Sequence, residues 1–130
     1  MQAIWQADKI CYLPILTDTK VLQFIRYNRD DELQPNQHFI PEPVNRQQTI
    51  HPEKLDLVIM PLIAFDPCGN RIGTGGGYYD RTFAFLFNHP TVAPFMLGLA
   101  FQLQKCPEIY PEPWDIKLNG VLTESEFITF

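Results

Sequence analysis

The chain has 130 residues and a formal net charge of -5 at pH 7, a length suited to one domain, residues 1–130, that buries on the order of two-thirds of its extended surface. Its sequence pI near 5.0 argues against non-specific nucleic-acid binding, which needs a basic stripe to displace counterions. Cys11, Cys68 and Cys106 stand far apart with no C-x-x-C pair, which favours reduced thiols in a cytoplasm over a disulfide framework or zinc site, and no apolar run approaches the roughly 20 residues that span a bilayer.

Ile10 to Leu16 is a short apolar, β-favouring run and Val21 to Tyr27 another, joined by the polar turn Thr17-Asp18-Thr19-Lys20, so two strands are expected. From Asn28 to Glu53 the composition turns polar, with Pro35, Pro41, Pro43 and Pro52, which predicts a long extended loop with Glu42 ordering it. Leu55 to Phe65 is nearly continuous in apolar residues, the pattern of a central parallel strand covered on both faces. Tyr79, Phe83 and Leu86 fall at helical spacing, predicting a helix over 78–87. Phe95 to Phe101 and Asn119 to Thr123 read as two further strands, separated by a segment that Pro107, Pro111 and Pro113 keep extended. Trp5 is expected to pack. His38, His51 and His89 lack metal-ligand spacing.

The most informative stretch runs from Ala64 to Arg81, where Gly73, Gly75, Gly76 and Gly77 lie between a strand and a helix. Without Cβ atoms, successive amides can turn toward one anion, and Arg71 and Arg81 flank the turn as planar forks of donors. The sequence fails G-x-x-x-x-G-K-[ST], having no lysine after Gly77, and fails G-x-G-x-x-G, because Tyr78 occupies the third glycine. Consecutive glycines also serve as a plain tight connection, so the turn alone leaves phosphate binding about even with a structural role.

Asp56 to Phe65 followed by Asp66, Gly69, Arg71, Gly73 and Gly75-Gly76-Gly77-Tyr78-Tyr79-Asp80-Arg81 resembles the signature of the 5-formyltetrahydrofolate cyclo-ligase family. Leu13-Pro14, Ile40-Pro41-Glu42-Pro43, Trp114-Asp115 and Gly120 to Glu124 fall in the same family order. The resemblance implies a three-layer α/β/α fold with a mostly parallel central sheet. It also implies an ATP- and Mg²⁺-dependent conversion of 5-formyltetrahydrofolate to 5,10-methenyltetrahydrofolate with release of ADP and phosphate. Phosphorylating the formyl oxygen would make it a leaving group, after which N10 of the folate attacks the carbon, so catalysis is chiefly positioning and charge stabilisation.

Carried over position by position, the resemblance makes Arg71, Gly73, Thr74, Gly75, Gly76, Gly77, Tyr78, Tyr79 and Asp80 the nucleotide site. Arg71 and Tyr78 become the catalytic pair, and the three glycines and Tyr78 the folate contacts, with Phe65 expected first as a core residue at the strand end and second as a lining of the pterin pocket. Asp80 and Asp115 match magnesium-associated carboxylates; the residues alone equally allow Asp80 to favour the first turn of its own helix and Asp115 to cap a turn after Trp114. The partners implied are folate and ATP, with no nucleic acid or membrane. The chain departs from the family at Gly76, where some members carry lysine. It also departs at its start, where relatives carry about fifty more residues of helix with a Lys/Arg cluster and a folate-facing glutamate, an extent judged from ordinary domain lengths. Loss of that segment from a family of monomers would expose a sheet face and invite self-association. The alternative expectation is therefore a shortened, catalytically weak member that binds nucleotide or folate, or acts as an interaction module.

Overall fold

The computed structural model describes residues 1–89 and 94–130. The chain divides into two compact units, Met1–Pro52 and Glu53–Phe130.

In the first unit a short helix α1 (Gln2–Gln6) precedes strands β1 (Tyr12–Leu16) and β2 (Leu22–Arg26). They pair antiparallel from Tyr12↔Arg26 to Leu16↔Leu22. The intervening turn closes through Thr17, whose amide and hydroxyl both donate to the Val21 carbonyl at 3.2 and 2.8 Å. Trp5 packs as expected: its ring lies 5.5 Å from that of Tyr27 and its indole N–H donates to the Tyr27 carbonyl at 3.3 Å.

The segment expected as loop holds more order than its prolines suggest. Strands β3 (Leu33–Pro35) and β4 (Pro41–Pro43) form a hairpin, and β5 (Thr49–Ile50) adds to β2. Prolines sit in β3 and β4 because each has only one paired edge, so the missing amide costs no second ladder. Glu42 orders the segment: buried, it accepts from the Leu16 amide (3.1 Å) and Asn36 Nδ2 (2.9 Å) on Oε1, and pairs with Arg46 at 3.1 Å on Oε2.

The second unit is built on a four-stranded sheet. Strands β6 (Leu57–Met60), β9 (Phe95–Leu99) and β10 (Gly120–Leu122) run parallel, and β11 (Phe127–Thr129) adds antiparallel, in the order β11-β10-β9-β6. Between β6 and β9 lie a small hairpin, β7 (Ala64–Phe65) with β8 (Arg71–Ile72), and the helix α2 (Tyr78–Thr82). This is the α/β class with a mostly parallel sheet that the resemblance implies.

Two expectations change. The apolar run from Leu55 to Phe65 is not one strand: it is interrupted between Met60 and Ala64, and β6 is an edge strand whose Val58 and Met60 are buried while Leu57 and Ile59 are about half exposed. Nor is 78–87 one helix. Thr82 Oγ1 turns back to the Tyr78 carbonyl at 2.6 Å, and after Phe83, fully buried, the chain tightens into a 3₁₀ turn over Ala84–Phe87. Back-bonding by threonine and the demand to bury Phe83 together override the helical spacing.

Candidate functional site

The geometry begins with Asp66, which follows β7 and is 1% exposed. Its Oδ1 accepts the amides of Cys68 and Asn70, both at 2.9 Å, and its Oδ2 accepts Asn70 Nδ2 and the Ile109 amide, both at 2.9 Å. One carboxylate thus closes the β7–β8 hairpin and ties it to the segment leading to Asp115. Burial pushes this carboxyl up, but the bonds from Asn70, Ile109 and Cys68 outweigh it and hold the group below its ordinary value.

Arg71, on β8, emerges from that hairpin with its side chain 5% exposed and pairs with Asp80 of α2, Nη2 to Oδ1 at 2.8 Å. The same Oδ1 accepts the Ile116 amide at 3.0 Å. Asp80 is therefore fixed beside the backbone that carries Asp115. Asp115 uses its Oδ2 to accept the Glu112 amide at 2.9 Å. Among the described residues, Asp80 Oδ2 and Asp115 Oδ1 have no protein partner, and Arg71 Nε is buried without one.

The glycine turn spans β8 and α2. Gly75 and Gly77 take φ of +97° and +65°, conformations that suit glycine and that bend the chain away from the strand. Thr74, Gly75 and Gly76 are exposed, and a side chain at Gly75 would meet nothing within 4 Å. Arg81 Nη1 donates to the Gly76 carbonyl at 2.8 Å and so braces the far side of the turn. Among the described residues, the amides of Gly73 to Gly77 donate no hydrogen bond to the protein. Five consecutive backbone donors in this turn are thus left without a protein acceptor among the described residues.

Tyr78 and Tyr79 are half-buried. Tyr79 stacks on Phe83 with centroids 6.4 Å apart, and burial raises its phenol above the ordinary value, partly offset by the nearby Arg71 charge. Phe65 has no exposed surface: it is the core residue expected at the strand end, and does not line an open pocket as a folate contact would. The structure thus brings Arg71, Asp80 and the neighbour of Asp115 into one network, leaves the glycine amides open, and sets Phe65 inside. Asp66, which stands in the signature without a role assigned to it, is the organising residue. Its signal is an aspartate two and four residues ahead of the amides it caps, a common turn pattern in any loop. A cavity of about 390 Å³ also adjoins this network, lined by Leu86, Phe87, Met96, Glu112, Asp115 and Ile116 among others.

Fold and turn together define the class: an α/β protein with an open glycine-rich connection leading into a helix. The model of the 5-formyltetrahydrofolate cyclo-ligase family matches residues 1–124. The 5-formyltetrahydrofolate cyclo-ligase of Haemophilus influenzae is 41% identical over 125 residues, covering 94% of this chain and 65% of that protein. The Escherichia coli K12 protein of the same name is 37% identical over 129 residues, covering 97% and 69%. The solved structure of Aquifex aeolicus 5,10-methenyltetrahydrofolate synthetase superposes with a TM-score of 0.78 at 26% identity, over 98% of this chain and 61% of that one. The chain belongs to the 5-formyltetrahydrofolate cyclo-ligase family, and it spans about two-thirds or slightly less of these relatives' length.

Proposed function

We propose that the chain carries the ATP- and Mg²⁺-dependent closure of 5-formyltetrahydrofolate to 5,10-methenyltetrahydrofolate, with release of ADP and phosphate. The observation that carries the reading is the run of unspent amides from Gly73 to Gly77 beside the Arg71–Asp80 pair, in a chain of this family. When bound, ATP supplies the phosphoryl group that turns a poor formamide electrophile into a reactive one.

The residues present fit that group. Amides held by the turn would meet the ATP phosphates as fixed dipoles that need little reorganisation, which is where charge stabilisation is most effective. Arg71, with its Nε unspent, adds positive charge at the edge of the turn. Asp80 and Asp115 each keep one carboxylate oxygen without a protein partner among the described residues; one or two carboxylates with phosphate oxygens and water are what Mg²⁺ takes. Tyr78, half-buried at the end of the turn, offers a ring to lie against the pterin and a hydroxyl to orient the formyl or a phosphate oxygen. A cytoplasmic setting suits the substrate and the unpaired thiols.

The test follows the rise of the methenyl product's near-ultraviolet absorbance with ATP, Mg²⁺ and 5-formyltetrahydrofolate. Tyr78→Phe should lower kcat/KM by about 10²-fold or more, the scale of losing one preorganised polar contact, with a melting curve close to the parent's; Asp80→Asn should lower kcat/KM similarly and also melt lower, because it leaves the buried Arg71 guanidinium without its carboxylate. Arg71→Ala should lose activity and also about 1–2 kcal/mol of stability, because it removes a buried side chain and the cationic partner of the half-buried Asp80 carboxylate; Arg71→Lys separates the two effects. Parent rates equal to those of the variants would remove the catalytic reading. Calorimetric binding of ATP without product would leave a nucleotide-binding module in its place.

A further inference from the structure

Arg71 opens β8 and Gly73 stands just past its end, two residues on and so toward the same side of an extended chain. That side is already full at Gly73: a Cβ there would stand 2.6 Å from Arg71 Nη1 and 3.8 Å from its Cζ. The guanidinium therefore lies across the Cα of Gly73 on its way to Asp80. Conformation is not what calls for glycine here, since Gly69, Gly75 and Gly77 take positive φ and Gly73 does not. What the missing side chain supplies is room. Two other glycines of the turn also border side chains: a Cβ at Gly76 would meet the Tyr78 ring at 2.8 Å and one at Gly77 the Arg81 guanidinium at 3.2 Å. Tyr78 is half-buried and Arg81 exposed, so each has solvent to turn into. The Arg71 side chain is 5% exposed and tied to Asp80 at 2.8 Å, and the same Asp80 oxygen holds the Ile116 amide at 3.0 Å.

We propose that Gly73 is a positioning residue for the ring closure: its bare Cα is the seat that sets the Arg71 guanidinium against Asp80. The positioning role rests on the proposed function; the seat itself does not. Carbon and nitrogen atoms in contact settle about 3.5–4 Å apart, so a methyl on Gly73 drives the guanidinium back by about 1 Å. A retreat on that scale takes a 2.8 Å hydrogen bond out of range unless its acceptor follows, and Asp80 is held in place by the Ile116 amide. Misplacing a positioned group by about 1 Å can cost about 10²-fold in rate.

Urea unfolding of Gly73→Ala in two backgrounds reads the seat without any activity. In the parent the substitution should lower the midpoint, because it breaks the Arg71–Asp80 pair. In Arg71→Lys the ammonium ends as many bonds from its Cα as Arg71 Cζ does, at ordinary contact distance from the new methyl. There the same substitution should raise the midpoint, since alanine at a compatible φ restricts the unfolded chain. Should Arg71→Lys fail to fold, Arg71→Gln, shorter still, takes its place. Equal midpoint shifts in the two backgrounds would overturn the seat. The second arm is turnover of 5-formyltetrahydrofolate with ATP and Mg²⁺ in buffer, where Gly73→Ala remains folded and its kcat/KM should fall by about 30–100-fold. An active parent whose kcat/KM survives Gly73→Ala would overturn the positioning role. An inactive parent would overturn the proposed activity and the positioning role together, while a background-dependent midpoint would still establish the seat.

Discussion

At the scale of single residues, Asp66 controls more of the site than any side chain that faces it. Removing its carboxylate would leave the buried amides of Asn70 and Ile109, and the part-buried amide of Cys68, without acceptors, and each stranded buried donor costs about 1–3 kcal/mol. Asp66→Ala should therefore lower the free energy of unfolding by roughly 3–5 kcal/mol, the range reserved for broken buried networks, as read by urea denaturation. The pH dependence has a definite sign. The folded-state pKa lies below the ordinary 3.8, so the group contributes stability above its unfolded pKa and that contribution is lost as pH falls through the folded value. The parent should weaken below about pH 4, and Asp66→Asn, less stable at neutrality, should show a flatter acid limb. Parallel acid limbs for the two proteins would show that Asp66 is not the group being protonated.

At the scale of elements, the glycine turn separates backbone freedom from packing. Nothing lies within 4 Å of a Cβ built on Gly75, but φ there is +97°, so Gly75→Ala should cost about 1–2 kcal/mol from backbone strain alone. The check is chemical denaturation with the m-value unchanged. A loss below a few tenths of a kcal/mol would mean that the turn relaxes freely. The elements themselves were legible where local chemistry decides them. The hairpin of β1 and β2 follows from two apolar runs around a polar turn, and β9 and β10 from short β-branched and aromatic runs. The open turn follows from its glycines. What was not legible depends on partners distant in sequence. Whether Leu57 and Ile59 are covered is a property of what sits over the sheet, to which the alternation of apolar residues is blind. The Arg71–Asp80 pair and the Ile116 amide on Asp80 join segments whose proximity no spacing encodes. β3 and β4 were hidden by prolines that an edge strand tolerates, and β11 by its three-residue length.

At the scale of the whole molecule, the three thiols report on different parts of the chain. Cys11 is buried in the first unit, and burial raises its pKa, so thiolate is scarce there as well as shielded. Cys68 is exposed on the β7–β8 hairpin, and Cys106 is half-buried, its Sγ 3.4 Å from the Phe65 carbonyl. The reactive species is the thiolate, and a buried one must wait for local or global opening. A maleimide reagent followed by mass spectrometry should therefore label Cys68 first, Cys106 next and Cys11 last. The expected Cys11 rate is at least about 100-fold below that of Cys68, equivalent to an opening free energy of about 3 kcal/mol. Raising urea toward the unfolding midpoint should bring the Cys11 and Cys68 rates together, since unfolding removes the burial that separates them. Comparable rates for Cys11 and Cys68 in buffer alone would mean that the core around Ile15, Phe24 and Ile25 opens without cost, and that the packing described for the first unit does not hold in solution.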